Sequence, residues 1–243
     1  MAGADEPARR AVGGVADLPV RLASALVMVG VSGLALWLGG WFWIAFVVLL
    51  AGLVLWEWNA LVRGAGPAPM AEILWLFCGA MYVCGAALAM IQVRLSYDAF
   101  AVAVGFIAPI VAVDVGAYFS GRAIGGPKIA ARLSPSKTWA GLGGGALAAS
   151  LVTVANELFD TGPAATLPGY SALSIVGAVV AGVLIAVLAQ AGDFFESWMK
   201  RRAGVKDSSA LIPGHGGAFD RLDGFIAVFF VLFVVAVAPG LLG

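Results

Sequence analysis

GFIAVFFVLFVVAVAPGLL, residues 224–242, carries no charged side chain and is long enough to cross a bilayer as a helix. Directly before it stands KDSSALIPGHGGAFDRLDG, residues 206–224, with Lys206, Asp207, His215, Asp220, Arg221 and Asp223 in one short loop. A second apolar run, 171–192, lies upstream of that loop. A charged island between two stretches of spanning length is the pattern of a membrane protein with a polar loop at one face. The composition agrees: of 243 residues, 62% are hydrophobic and 12% charged, against about a quarter charged in soluble domains.

Working outward, apolar segments recur at 20–39, 41–62, 72–91, 99–120, 138–158, 171–192 and 224–242. They predict an all-α polytopic membrane protein of about seven transmembrane helices, since only helices or closed barrels satisfy the backbone in lipid. Only Gly39 and Gly40 separate the first two segments. No internal repeat is visible, so the chain divides into an N-terminal tail, 1–19, and a single membrane domain, 20–243. The tail is long and polar, so a cleaved signal peptide is not expected. Cys78 and Cys84 lie six apart in an apolar run, without metal-site spacing, and read as packing residues. A formal net charge of zero argues against a nucleic-acid partner.

The basic residues set the orientation. Arg9, Arg10, Arg21 and Arg63 flank the first two segments; Arg122, Lys128, Arg132 and Lys137 lie between the fourth and fifth; Lys200, Arg201, Arg202, Lys206 and Arg221 lie between the sixth and seventh. With seven spans and a cytoplasmic N-terminus, Arg94 is the one basic residue of 14 left outside. The two charged loops then share the cytoplasmic face, while the 158–171 loop, with Asp160, lies outside.

In FIAPIVAVDVGAYFSGR, residues 106–122, Asp114, Tyr118 and Arg122 recur every four residues and share a helical face. A carboxylate inside a spanning segment is costly to insert and tends to face a cavity; the blander reading pairs Asp114 with Arg122 to lock helices together. In ARLSPSKTWAGLGGG, residues 131–145, Ser134, Lys137 and Thr138 precede an apolar run, and a helix start with a lysine and hydroxyls suits a phosphate. No Walker motif is present, and taken alone the stretch reads better as an ordinary capped helix with a topogenic lysine. Asp193, Glu196, Ser197 and Lys200 form one stripe at the end of the sixth segment. Carboxylates mixed with lysine and arginine at a membrane face point to a hard cation beside phosphates, and Mg²⁺ commonly takes one or two carboxylates plus phosphate oxygens. A loop binding anionic headgroups accounts for Lys200, Arg201 and Arg202, but not for the interleaved acids or the glycines around His215. With no second His or Cys nearby, His215 is a poor zinc ligand and a better candidate for orienting a phosphate or a carboxylate.

The stretch from Ser197 to Asp223, SWMKRRAGVKDSSALIPGHGGAFDRLD, resembles the signature of the CdsA-type phosphatidate cytidylyltransferases, or CDP-diacylglycerol synthases. Glu57-Trp58, Asp114-x-x-x-Tyr118-x-x-Gly121-Arg122, Ser134-Pro-x-Lys137-Thr138 and Gly192-Asp193-x-x-Glu196-Ser197 are similar to that family as well. The resemblance implies a membrane cytidylyltransferase domain that makes CDP-diacylglycerol and pyrophosphate from CTP and phosphatidic acid with Mg²⁺. It places the family's metal-binding aspartates on Asp193 and Asp220, with Glu196 and Asp223 in support. Lys206 and His215 join those aspartates as catalytic candidates. Asp114, Tyr118, Arg122, Ser134, Lys137, Thr138, Ser197, Lys200, Arg201, Asp207 and Arg221 are candidates for substrate contact. Expected partners are CTP, phosphatidic acid and membrane lipids, with a homodimer as a further expectation. The expected setting is a bacterial cytoplasmic (inner) membrane with the site facing the cytoplasm. Two alternatives stand beside it: a transferase acting on an isoprenoid or ether lipid phosphate, and a cation-coupled transporter using Asp114 and Asp193 in broken helices. A CDP-alcohol phosphotransferase is excluded, because its D-G-x-x-A-R opening is absent.

Overall fold

The computed structural model describes residues 6–159 and 175–242. Within them the chain forms seven helices: α1 (Glu6–Leu38), α2 (Gly40–Gly64), α3 (Pro69–Ser96), α4 (Ala99–Ala123), α5 (Trp139–Leu158), α6 (Ile175–Arg202) and α7 (Phe219–Leu242). The seven helices coincide with the seven apolar segments. α1 begins at Glu6, inside the stretch read as a tail, and the loop carrying Asp160 lies outside the described residues. Five helices are long and apolar enough to cross a membrane: α1 from Pro19, α2, α3, α4 and α6. Glycines crowd the start of α5, and Asp220, Arg221 and Asp223 occupy the first turns of α7.

Punctuation follows local chemistry. Gly39 and Gly40 take φ of 62° and 49°, a region side chains disfavour, and so reverse the chain between α1 and α2. Arg94 explains itself here. Its Nε donates to the Leu36 carbonyl at 2.8 Å and its Nη1 to the Tyr97 carbonyl at 3.1 Å. The basic residue that departs from the charge rule thus caps the end of α1, whose last carbonyls have no helical partner. Asp98 caps α4 by accepting from the Ala101 N–H at 2.9 Å. Pro109 has no N–H to continue the ladder, and α4 takes a π-helical turn at Ala103–Ile107 immediately before it.

Packing depends on small residues, as expected where lipid supplies no hydrophobic drive between helices. Gly116 of α4 lies against Gly144 of α5, where a Cβ would meet the Gly144 carbonyl oxygen at 2.5 Å. The exterior is as apolar as the interior: Val29, Trp37, Trp41, Phe77, Leu151 and Val176 are all exposed. An aromatic cluster gathers on Trp58 of α2, which lies against Trp75, Tyr82, Phe195 and Phe219 and donates to the Trp75 carbonyl at 3.0 Å. It ties α2 and α3 to the end of α6 and the start of α7, beneath the charged loop.

Candidate active site

Asp114 of α4, Lys137 before α5, Gln190 and Asp193 of α6, and Arg221 and Asp223 of α7 line one small cavity. Lys137 Nζ lies 2.6 Å from Asp193 Oδ2. The loop ahead of α5 doubles back on itself, the Ile129 N–H donating to the Lys137 carbonyl and the Trp139 N–H to the Pro127 carbonyl. Thr138 then accepts from the Gly141 N–H at 3.0 Å as the helix cap, which pins Lys137 one residue before the cap. Gly192 packs directly on the Asp223 carbonyl, with no room for a Cβ. This close crossing sets Asp193 and Asp223 on facing helices around one space.

A second cluster lies beside the first. Lys200 Nζ is 2.5 Å from Glu196 Oε2 and 2.6 Å from Asp220 Oδ1. Asp220 Oδ2 accepts from the Ser208 N–H at 2.8 Å, the Ser208 hydroxyl at 2.7 Å and the Gly217 N–H at 2.8 Å. Burial alone would raise the Asp220 carboxyl, but Lys200 and these donors outweigh it and hold it at about 2. Glu57, fully buried in α2, accepts from the Ser209 hydroxyl at 2.6 Å and lies 3.1 Å from the Ser208 hydroxyl, whose one proton it shares with Asp220. It also accepts from the Ala218 and Phe219 N–H groups at 2.9 and 2.7 Å. A carboxylate from another helix therefore caps α7, supplying an acceptor where the helix leaves N–H groups free.

The expected residues divide accordingly. Asp114, Lys137, Asp193, Arg221 and Asp223 meet at the cavity, and the Ser197 hydroxyl reaches Asp193 Oδ1 at 3.4 Å. Glu196, Lys200 and Asp220 form the neighbouring cluster. Thr138 is a buried cap, and Ser134 is half-buried beside exposed Ser136. Tyr118 and Arg122 are exposed and off the cavity wall, and no ion pair joins Asp114 to Arg122 among the described residues. Arg201 is exposed and donates to the Val205 carbonyl, while Arg202 lies over the Trp198 ring. Lys206 and Asp207 are exposed on the loop. His215 turns away from the cavity: its Nδ1 is 2.9 Å from the Ser24 hydroxyl of α1, and its carbonyl accepts from Arg221.

The sequence model that describes the Cytidylyltransferase family matches residues 70–238, well over half of the chain. The chain belongs to that family. A phosphatidate cytidylyltransferase of Brucella suis is 44% identical over 135 residues, 56% of this chain and 46% of the relative. One from Haemophilus influenzae is 44% identical over 116 residues, 48% of this chain and 38% of the relative. One from Rickettsia conorii is 38% identical over 125 residues, 51% and 53% of the two chains. The chain spans about half the length of the curated relatives it matches. Every residue lining the cavity falls inside the span matched to the cytidylyltransferases; Ser24 and Glu57 precede it.

Sequence reasoning assigned no role in the site to Gln190, Ser208 or Gly217, and singled out Glu57 only by its place in a motif. A glutamate among the apolar residues of segment two carries the same signal as Asp114, and a glutamine three residues before Asp193 shares its helical stripe. The cavity holds three carboxylates against two basic side chains. Burial, and then neighbouring Asp193, push the Asp223 carboxyl, in the first turns of α7 ahead of the apolar run, up to about 7. An all-oxygen, acid-rich donor set of this kind suits Mg²⁺. Among the described residues no three His, Cys, Asp or Glu side chains are gathered so as to hold a metal ion by themselves.

Proposed function

We propose that this chain transfers CMP from CTP to phosphatidic acid, forming CDP-diacylglycerol and pyrophosphate at the cytoplasmic face of a bacterial inner membrane. The observation that carries the reading is the convergence of Asp114, Lys137, Asp193, Arg221 and Asp223, from three helices and a loop, on one cavity. The family membership and the names of the relatives support it.

The chemistry matches what these residues supply. A phosphatidate oxygen is already anionic near neutral pH, so no general base is required. It forms a bond to the α-phosphorus of CTP as the bond from that phosphorus to the bridging oxygen breaks, and the electron pair leaves with pyrophosphate. The obstacle is repulsion between two anions and their alignment. Lys137 and Arg221 offset that charge from opposite sides of the sequence. Asp193, open to the cavity, would hold Mg²⁺, with Asp223 as a further oxygen donor beside it; Asp220 lies off the cavity wall, its Oδ1 on Lys200 and its Oδ2 on Ser208 and Gly217, and would have to exchange those partners to join them. When bound, Mg²⁺ would neutralise phosphate charge and polarise the phosphoryl group. His215, engaged by Ser24 and off the cavity wall, is poorly placed to become a covalent carrier.

Purified protein incubated with CTP, phosphatidic acid and Mg²⁺ should yield CDP-diacylglycerol by mass, and a chelator should stop it. Preference for an isoprenoid phosphate over phosphatidic acid would reassign the acceptor. Incubation with α-labelled CTP but no lipid should leave the protein unlabelled; label discharged by later addition of lipid would replace direct transfer with a covalent intermediate.

A further inference from the structure

Gln190 is 6% exposed, lines the cavity, and its Nε2 is shut off from bulk solvent with no hydrogen-bond partner. A buried amide donor without an acceptor is a net cost to folding. Folding alone gives no reason to keep it there, because a methionine would fill nearly the same space. The reverse rotamer would set a carbonyl oxygen in a cavity that already holds the carboxylates of Asp114, Asp193 and Asp223, where like partial charges repel. The nitrogen therefore belongs on the ligand side. A cation repels the positive end of an N–H group, whereas an anionic oxygen accepts from it. Lys137 and Arg221 line the same wall, and together the three side chains form a donor set for a phosphoryl oxygen. Gln190 also lies one helical turn before Asp193, next to apolar Ala189 and across from Ile110 and Phe225, at the junction of the charged and apolar walls.

We propose that Gln190 is a substrate-binding residue whose Nε2 donates a hydrogen bond to a phosphoryl oxygen also contacted by Lys137 and Arg221. This rests on the reading that the cavity takes the phosphates of CTP and of the lipid; the oxygen belongs to one or the other. The decisive variant is Gln190→Met, which keeps the volume and removes the donor. Without substrates its unfolding midpoint in detergent should equal or exceed that of the wild type, because an unsatisfied donor has been removed. Its KM for one of the two substrates should rise about ten- to a hundred-fold, as for a lost hydrogen bond to a charged group, with kcat changed less. A rise for CTP, matched by weaker calorimetric binding of a non-hydrolysable CTP analogue, places the oxygen on the nucleotide; a rise for phosphatidic acid places it on the lipid. A lowered unfolding midpoint, or unchanged KM for both substrates, overturns the assignment. If the wild type itself turns over neither substrate, the parent reading has failed instead. Gln190 is then decided by calorimetry with Mg²⁺ and pyrophosphate, whose binding Gln190→Met must weaken and whose unchanged binding would reject the role.

Discussion

Asp193 and Asp220 are both carboxylates of the charged region, yet their surroundings separate them. Asp193 has a single lysine contact and a long hydrogen bond from Ser197, and it faces the cavity. Asp220 is held by Lys200 and three further donors from the loop. Asp193→Asn should therefore abolish turnover while leaving the unfolding midpoint near wild type, whereas Asp220→Asn should lose both. A pair of thermal melts alongside the assay tests this, and equal stability of the two variants would contradict it. The pH dependence has a definite sign. The folded-state Asp220 carboxyl sits at about 2, below its ordinary 3.8, so its contribution is complete above about pH 4 and is lost as pH falls toward 2. Denaturant titrations between pH 5 and 2 should show a stability loss that is smaller in Asp220→Asn.

At the scale of elements, two contacts decide where the charged loop sits. Glu57 joins α2 to Ser208, Ser209 and the first N–H groups of α7, so one side chain determines where α7 begins. Glu57→Gln keeps the shape but replaces an anionic acceptor pair with one neutral acceptor and an unwanted donor. It should cost about 2–3 kcal/mol of stability and lower activity by displacing Asp220 and Asp223; wild-type turnover and stability would remove Glu57 from this role. Gly192→Ala should push α7 off α6 at the Asp223 carbonyl, costing about 1–3 kcal/mol and spreading the cavity. The check is a parallel loss of thermal stability and of turnover.

Across the whole molecule, the asymmetry of charge is what a bilayer would read. Lys128 in the loop before α5 and Arg202 at the end of α6 belong to the two loops that build the site, so Lys128→Cys and Arg202→Cys should both label from the cytoplasmic side alone. Labelling of either from the opposite side would dismantle the shared site. Arg94 is the instructive exception: its guanidinium is committed to the Leu36 and Tyr97 carbonyls, so its position reports helix capping rather than orientation.

The all-α membrane architecture, the positions of the seven helices and the islands that hold the polar residues were all legible in the sequence. Hydropathy and basic residues act locally and additively along the chain, so a linear reading captures them. A capped helix start near Thr138 and Asp114 as a residue facing a cavity were legible for the same reason. Which acid faces the cavity was not. Asp220 and Asp223 stand three residues apart, and only the crossing of α6 and α7 at Gly192 turns Asp223 inward while the loop's donors claim Asp220. Glu57 meets the Ala218 N–H across 161 residues and Ser24 meets His215 across 191. The unpartnered donor of Gln190 exists only relative to walls built by other helices. Hydrogen-bond partners depend on directions and distances of a few ångströms, and residues far apart in the chain acquire those only when the helices pack.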